Sequence, residues 1–174
     1  MIRNSLRGLP QHALPQGYSF RWYRNGDRDV WVRIHELAER YTPTTAEVYD
    51  AQFGKNEIEL ARRQAFLLDP TGHEIGTATA WFQDDYHGQR FGRVHWVAIV
   101  PGHQGKGLAK PLLTTICNRL LELGHDRAYL TTGTARLPAI HLYLTYGFEP
   151  EIQTDEDCRV WDETFQQLKD LRKK

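Results

Sequence analysis

The sequence predicts an α/β fold of the mixed (α+β) kind, with hairpins and one internal parallel crossover, on three observations. Helical spacing of apolar residues dominates from Asp27 to Arg63, strand periodicity takes over from Ala65 to Val100, and beyond Pro101 helix and strand patterns alternate. The chain has 174 residues, 40% hydrophobic and 25% charged, enough to bury one core without disulfides or metals. One domain is therefore expected over residues 18–174, after an irregular lead-in at 1–17 punctuated by Gly8, Pro10, Pro15 and Gly17.

Each element follows from a local signal. YSFRWYR at 18–24 is aromatic-rich and bounded by Gly17 and Asn25-Gly26, which reads as a strand. Asp27 then caps a helix whose apolar positions are Val30, Ile34, Leu37 and Ala38. TTAE at 44–47 supplies a capping box for a second helix through Tyr49, with Gly54 as a break and Ile58 to Arg63 as further helix. AFLLD at 65–69, the turn Pro70-Thr71-Gly72 and EIGTATAWFQ form a hairpin, and GRVHWVAIV at 92–100 is the next strand, stopped by Pro101. Leu108, Leu112, Ile116, Leu120 and Leu123 make the apolar stripe of a long helix ending at Gly124, in which Pro111 fits awkwardly. RAYLTT is then a strand, LPAIHLYLTY a short helix, GFEPEI a turn into another strand, and the segment from Trp161 a polar helix or tail.

Composition excludes several function classes. The 22 basic and 22 acidic side chains cancel, so no net field draws the chain to nucleic acid or to a membrane surface. No run of about 18 apolar residues occurs, which argues against a membrane span and points to the cytoplasm. Cys117 and Cys158 form no CxxC pair and read as free thiols of a reducing compartment. The histidines lack metal-ligand spacing, so no metal site is expected.

One loop carries chemistry. Between the strand at 92–100 and the long helix lies QGKGLA, Gln104 to Ala109. Gly105 and Gly107 let the chain turn sharply, and the free amides of a helix start attract an anion, phosphate above all. It is not a P-loop, because Gly105-Lys106 is followed by Gly107 and Val100 stands where the first glycine belongs. Nor is it a dinucleotide fingerprint, because Lys110 occupies the third glycine site.

These residues resemble the GNAT acyltransferases. QGKGLA matches that family's Q/R-x-x-G-x-G/A signature after a strand ending Ile99-Val100-Pro101, and AIHLYLTYGFEP at 139–150 is similar to its second landmark, in the same order and spacing. The resemblance implies the GNAT fold, a central, mostly antiparallel sheet splayed after its fourth strand and flanked by helices. It also implies an N-acetyltransferase moving an acetyl group from acetyl-CoA to a primary amine by direct attack in a ternary complex. A non-catalytic acyl-CoA sensor of the same fold is the alternative.

The family pattern assigns roles residue by residue. The backbone of Val97, Ala98 and Ile99 would pair with the pantetheine arm, and Gln104, Gly105, Lys106, Gly107, Leu108 and Ala109 would hold the pyrophosphate through main-chain amides. Tyr143 would protonate the departing thiolate, whereas Tyr146 reads as core. His95, placed on the same pleat side as Val97 and Ile99, is the candidate base, ahead of Asp84 and Asp85. Arg136 stands where many members have Asn and reads as a surface residue. Tyr41, Tyr49, Phe53, Trp81 and Phe82 are candidates to line the pocket of a small-molecule or peptide amine. A homodimer stays open, with the segment from Trp161 as a surface for it.

Overall fold

The computed structural model describes residues 1–39 and 43–171. In chain order it runs β1 (Ile2–Arg3), β2 (Ser19–Trp22), α1 (Asp27–Ala38), α2 (Ala46–Phe53), α3 (Glu57–Arg63), β3 (Gln64–Leu68), β4 (Glu74–Tyr86) and β5 (Gln89–Ile99). After a 3-10 turn at Pro101–His103 come α4 (Ala109–Glu122), β6 (Ala128–Tyr129), α5 (Leu137–Thr145) and α6 (Asp155–Leu171). The six strands form one sheet in the order β1-β6-β5-β4-β3-β2. Every neighbouring pair is antiparallel except β5 with β6, which is the expected parallel crossover through α4.

The sheet is buried on both faces because its strands alternate between two cores. Ala65 and Leu67 of β3 join the cluster under α4, while Phe66 between them joins the cluster of Trp31, Ile34, Tyr49, Phe53 and Leu60 supplied by α1, α2 and α3. Tyr146 lies in the α4-side core, as expected, its hydroxyl donating to the Lys110 carbonyl at 2.6 Å and sharing a 2.7 Å bond with Thr114.

Four local details differ from the sequence reading. Pro111 fits without strain: α4 begins at Ala109, its first backbone bond is Leu112 N–H to Leu108 C=O, and a proline two residues inside the start has no intrahelical donor to lose. The lead-in contributes β1 and three core residues, Met1, Leu6 and Leu9. Ile2 exchanges backbone bonds of 2.8 Å with Glu149 while pairing with Tyr129, so GFEPEI at 147–152, expected as a turn into another strand, contributes one bridge and leads into α6 instead. β1 occupies the sheet position beside β6 that such a strand would take. Asp155 to Leu171 form a single long helix, starting earlier than Trp161.

Candidate active site

β5 and β6 pair only at Gly92 with Ala128 and Arg93 with Tyr129, and then part. From Val94 to Ile99 the β6-facing edge of β5 meets no strand among the described residues, and it forms one wall of a cleft of about 840 Å³. Val97, Ala98 and Ile99 lie on that wall. An antiparallel ladder to β4 uses one side of their backbone and leaves the other free to pair with an extended ligand.

The wall continues into the glycine loop. Gly105 and Gly107 adopt φ of 75° and 76°, the left-handed region, and nothing lies within 4 Å of where a Cβ would stand. The requirement for glycine is conformational rather than steric. Among the described residues, the amides from Gly105 to Lys110 donate to no protein acceptor, so a row of free N–H groups opens α4 at the positive end of its dipole. Gln104 differs from its neighbours: its side chain donates to the Ile99 carbonyl at 2.7 Å, tying the loop to the end of β5.

The alternation of β5 is broken just before this segment. Thr79 opposes His95 and Thr77 opposes Ala98, two steps on β4 against three on β5, and Trp96 takes a φ of 50°. This β-bulge places consecutive side chains on one face. His95 packs on Phe53 and Trp96 on Trp31, both on the α1 side, while Val97 and Ile99 face the α4-side core. The expectation that His95 shares a pleat side with Val97 and Ile99 is therefore corrected, because the extra residue reverses the register of faces.

The bulge also fixes two imidazoles. Trp96 Nε1 can only donate, and its 3.2 Å bond to Gln52 Oε1 orients that amide, so His95 Nε2, 3.0 Å from the same oxygen, must carry a proton. Neutral His95 then holds its lone pair on Nδ1. Burial, helped by the nearby Arg93 charge, pulls its pKa from about 6.5 down to about 2. His95 is therefore neutral at neutral pH. His35 bonds the Trp96 backbone carbonyl; because its Nε2 has no partner, that bond is made by Nδ1–H.

Tyr143 is 8% exposed, lines the cleft, and has its pKa pushed up to about 12 by burial, with Arg136 opposing the rise. Its hydroxyl is fully protonated at neutral pH and makes no hydrogen bond among the described residues, free to serve a ligand. Arg136 is not a plain surface residue: from the start of α5 it reaches Glu39 at the end of α1, with Nη2 to Oε2 at 2.7 Å, and both line the cleft.

Other expected site residues lie elsewhere. Tyr49 and Phe53 are core, packed on Trp31. Trp81 and Phe82 sit farther along β4, and Tyr41 lies outside the described residues. Asp84 pairs with Arg90, and Asp85 accepts from Gly88 N–H at the β4–β5 turn, away from the cleft. His35, Glu39 and Gln52 went unnoticed in the sequence. HELAE at 35–39 did carry a signal, since i and i+4 share a helix face.

Comparison with known proteins agrees with this geometry. The model of the acetyltransferase (GNAT) family matches residues 31–148. The chain belongs to the GNAT family. GNAT relatives named mycothiol acetyltransferase include those of Pseudarthrobacter chlorophenolicus, 29% identical over 151 residues, covering 80% of this chain and 45% of that protein. The one from Arthrobacter sp. strain FB24 is 30% identical over 152 residues, with the same coverage of 80% and 45%. The chain thus spans about half the length of the curated relatives it matches. Among solved GNAT structures, the GCN5-related N-acetyltransferase of Sphaerobacter thermophilus superposes with a TM-score of 0.68 at 22% identity, covering 85% of this chain and 46% of that one. The ribosomal-protein-S18-alanine N-acetyltransferase of Escherichia coli gives 0.62 at 19%, covering 78% and 79%. Among the described residues, no helix is long and apolar enough to cross a membrane, and no cluster of His, Cys, Asp and Glu could hold a metal.

Proposed function

We propose that this chain is an acyl-CoA-dependent N-acetyltransferase that moves an acetyl group from acetyl-CoA to the primary amine of a small acceptor by direct attack in a ternary complex. The observation that carries the reading is the continuity of one wall: an unpaired strand edge at Val94 to Ile99 runs directly into the free amides at Gly105 to Lys110. An extended, amide-bearing arm ending in a pyrophosphate has that pattern of needs, and acetyl-CoA is such a molecule. Its thioester supplies the activated acyl group.

The chain's own residues supply the rest. Val97, Ala98 and Ile99 pair with the arm through their backbone; Gln104, Gly105, Lys106, Gly107, Leu108 and Ala109 set the loop whose amides hold the anion. Tyr143 donates its hydroxyl proton to the departing thiolate. His95 acts as a positioning residue, holding Gln52 and the bulge, and the amine's proton leaves to solvent. The relatives named mycothiol acetyltransferase support a small-molecule acceptor.

Titration with acetyl-CoA, ATP and NAD, followed by CoA release against a panel of amines, tests this reading. Binding of acetyl-CoA alone with amine-dependent release is expected. Binding without release for any amine would assign the non-catalytic sensor instead.

A further inference from the structure

We propose that the last turn of α1 is the amine-recognition subsite, where the Glu39 carboxylate pairs with the acceptor's ammonium and Nε2 of His35 accepts one of its hydrogen bonds. The inference rests on the N-acetyltransferase reading and adds the group that selects the acceptor.

The first observation is an unsatisfied atom. His35 is 3% exposed, yet its buried Nε2 has no hydrogen-bond partner among the described residues, and the ring forms part of the cleft wall. Buried polar atoms rarely stay unpaired, because each forfeits a hydrogen bond that water would have made. With Nδ1–H committed to the Trp96 carbonyl, neutral His35 presents only a lone pair, so whatever satisfies it must bring a donor. The ring cannot swing away, wedged between Trp31 and Trp96 at centroid distances of 4.1 and 5.0 Å.

The second observation is the charge beside it. Glu39 follows one turn later on the same face and also lines the cleft, its carboxylate held by Arg136 from the opposite wall at 2.7 Å. This is the C-terminal end of α1, where unpaired carbonyls carry the negative end of the helix dipole. A carboxylate, a bare imidazole nitrogen and a helix C-terminus all accept hydrogen bonds, and two of them attract positive charge. An alkylammonium, with three donors and one charge, matches that set, whereas a carboxylate or phosphate would be repelled by the Glu39 carboxylate. The Trp96 ring, which lines the cleft, is also a favourable neighbour for a cation.

The subsite is placed to hand its guest to the reaction. Arg136 links Glu39 to α5, whose Tyr143 feels the guanidinium charge. After the ammonium loses a proton to solvent, the nitrogen lone pair attacks the thioester carbonyl carbon. The nitrogen sheds a second proton to solvent as the carbon–sulfur bond breaks, leaving a neutral amide, and the thiolate leaves with the proton of Tyr143, which solvent restores.

The test uses the full chain without donor and two isosteric probes, 1-propylammonium and 1-propanol, followed through the imidazole nitrogen resonances of ¹⁵N-histidine-labelled protein. Propylammonium is expected to shift the His35 Nε2 signal and propanol to leave it unmoved. Glu39→Gln should weaken propylammonium binding about tenfold while acetyl-CoA affinity and thermal unfolding hold. His35→Phe keeps the ring and removes the acceptor; it should weaken binding several-fold, with partial recovery in His35→Gln. Equal responses to both probes, no response to propylammonium, or unchanged affinity in Glu39→Gln would overturn the proposal. Failure of the parent chain to bind acetyl-CoA would instead sink the N-acetyltransferase reading, which the donor-free titration does not touch.

Discussion

Replacing Tyr143 with phenylalanine removes one oxygen from the cleft and nothing else. The ring keeps its edge contact with Phe148, centroids 6.2 Å apart, and the hydroxyl leaves no protein partner orphaned among the described residues, so stability should change by less than about 0.5 kcal/mol. Catalysis should change more. With its pKa pushed up to about 12, Tyr143 is a weaker acid than an exposed tyrosine but stronger than water, at about 15.7, which would replace it. General acids contribute about 10²–10⁴-fold, and an acid this weak belongs at the low end, so a loss of about 100-fold, roughly 2.7 kcal/mol, is expected. Single-turnover release of free CoA reads the chemical step, and direct titration reads acetyl-CoA affinity, which should stay within about twofold. The raised pKa adds a pH signature: the proton is fully present below about 12, so the parent should show no alkaline loss from this group between neutrality and about pH 10. An unchanged single-turnover rate, or a loss of donor affinity as large as the loss of rate, would refute the assignment.

Tyr146→Phe is the contrasting case. It strips the Lys110 carbonyl and Thr114 of a buried partner, so denaturant unfolding should show a loss of about 1–3 kcal/mol with the turnover of the remaining folded protein unchanged. Gly107→Ala puts a Cβ into open space at φ 76°, so the cost is conformational, about 1 kcal/mol, and calorimetry should show weaker acetyl-CoA binding as the loop amides shift. Arg21→Met leaves Asp27, 7% exposed, without the guanidinium that bonds it at 2.5 and 2.8 Å, and should cost about 3 kcal/mol in denaturant unfolding. Stability should also depend on pH through His35. Burial pulls its folded pKa from about 6.5 to about 4, so between those values the unfolded chain binds the proton and the folded chain does not. The stabilisation is complete above about pH 6.5 and lost as pH falls, by about 3 kcal/mol at pH 4, and His35→Phe should flatten that slope in thermal unfolding.

The helices at α1, α4 and α5 and the strands at β3 to β5 were legible because their signals are local: apolar spacing, turn residues and caps. β1 was not legible, because nothing in Met1 to Arg3 states that Ile2 will meet both Tyr129 and Glu149. Such pairing is decided by which strand edge remains open once the sheet is built. The same limit applied to Arg136, which looked like a surface residue until α1 and α5 brought Glu39 within 2.7 Å.

By itself the sequence determined the anion loop of the cleft, since such a loop needs only glycines at a helix start, and those are contiguous in QGKGLA. Tertiary structure alone decided the α1 wall. One extra residue at Trp96 turned His95 toward α1, buried it in neutral form, and left His35, from a helix some sixty residues earlier, as the unpaired acceptor in the wall. Backbone chemistry is written along the chain, whereas the ionisation and partners of a buried side chain depend on what folds around it.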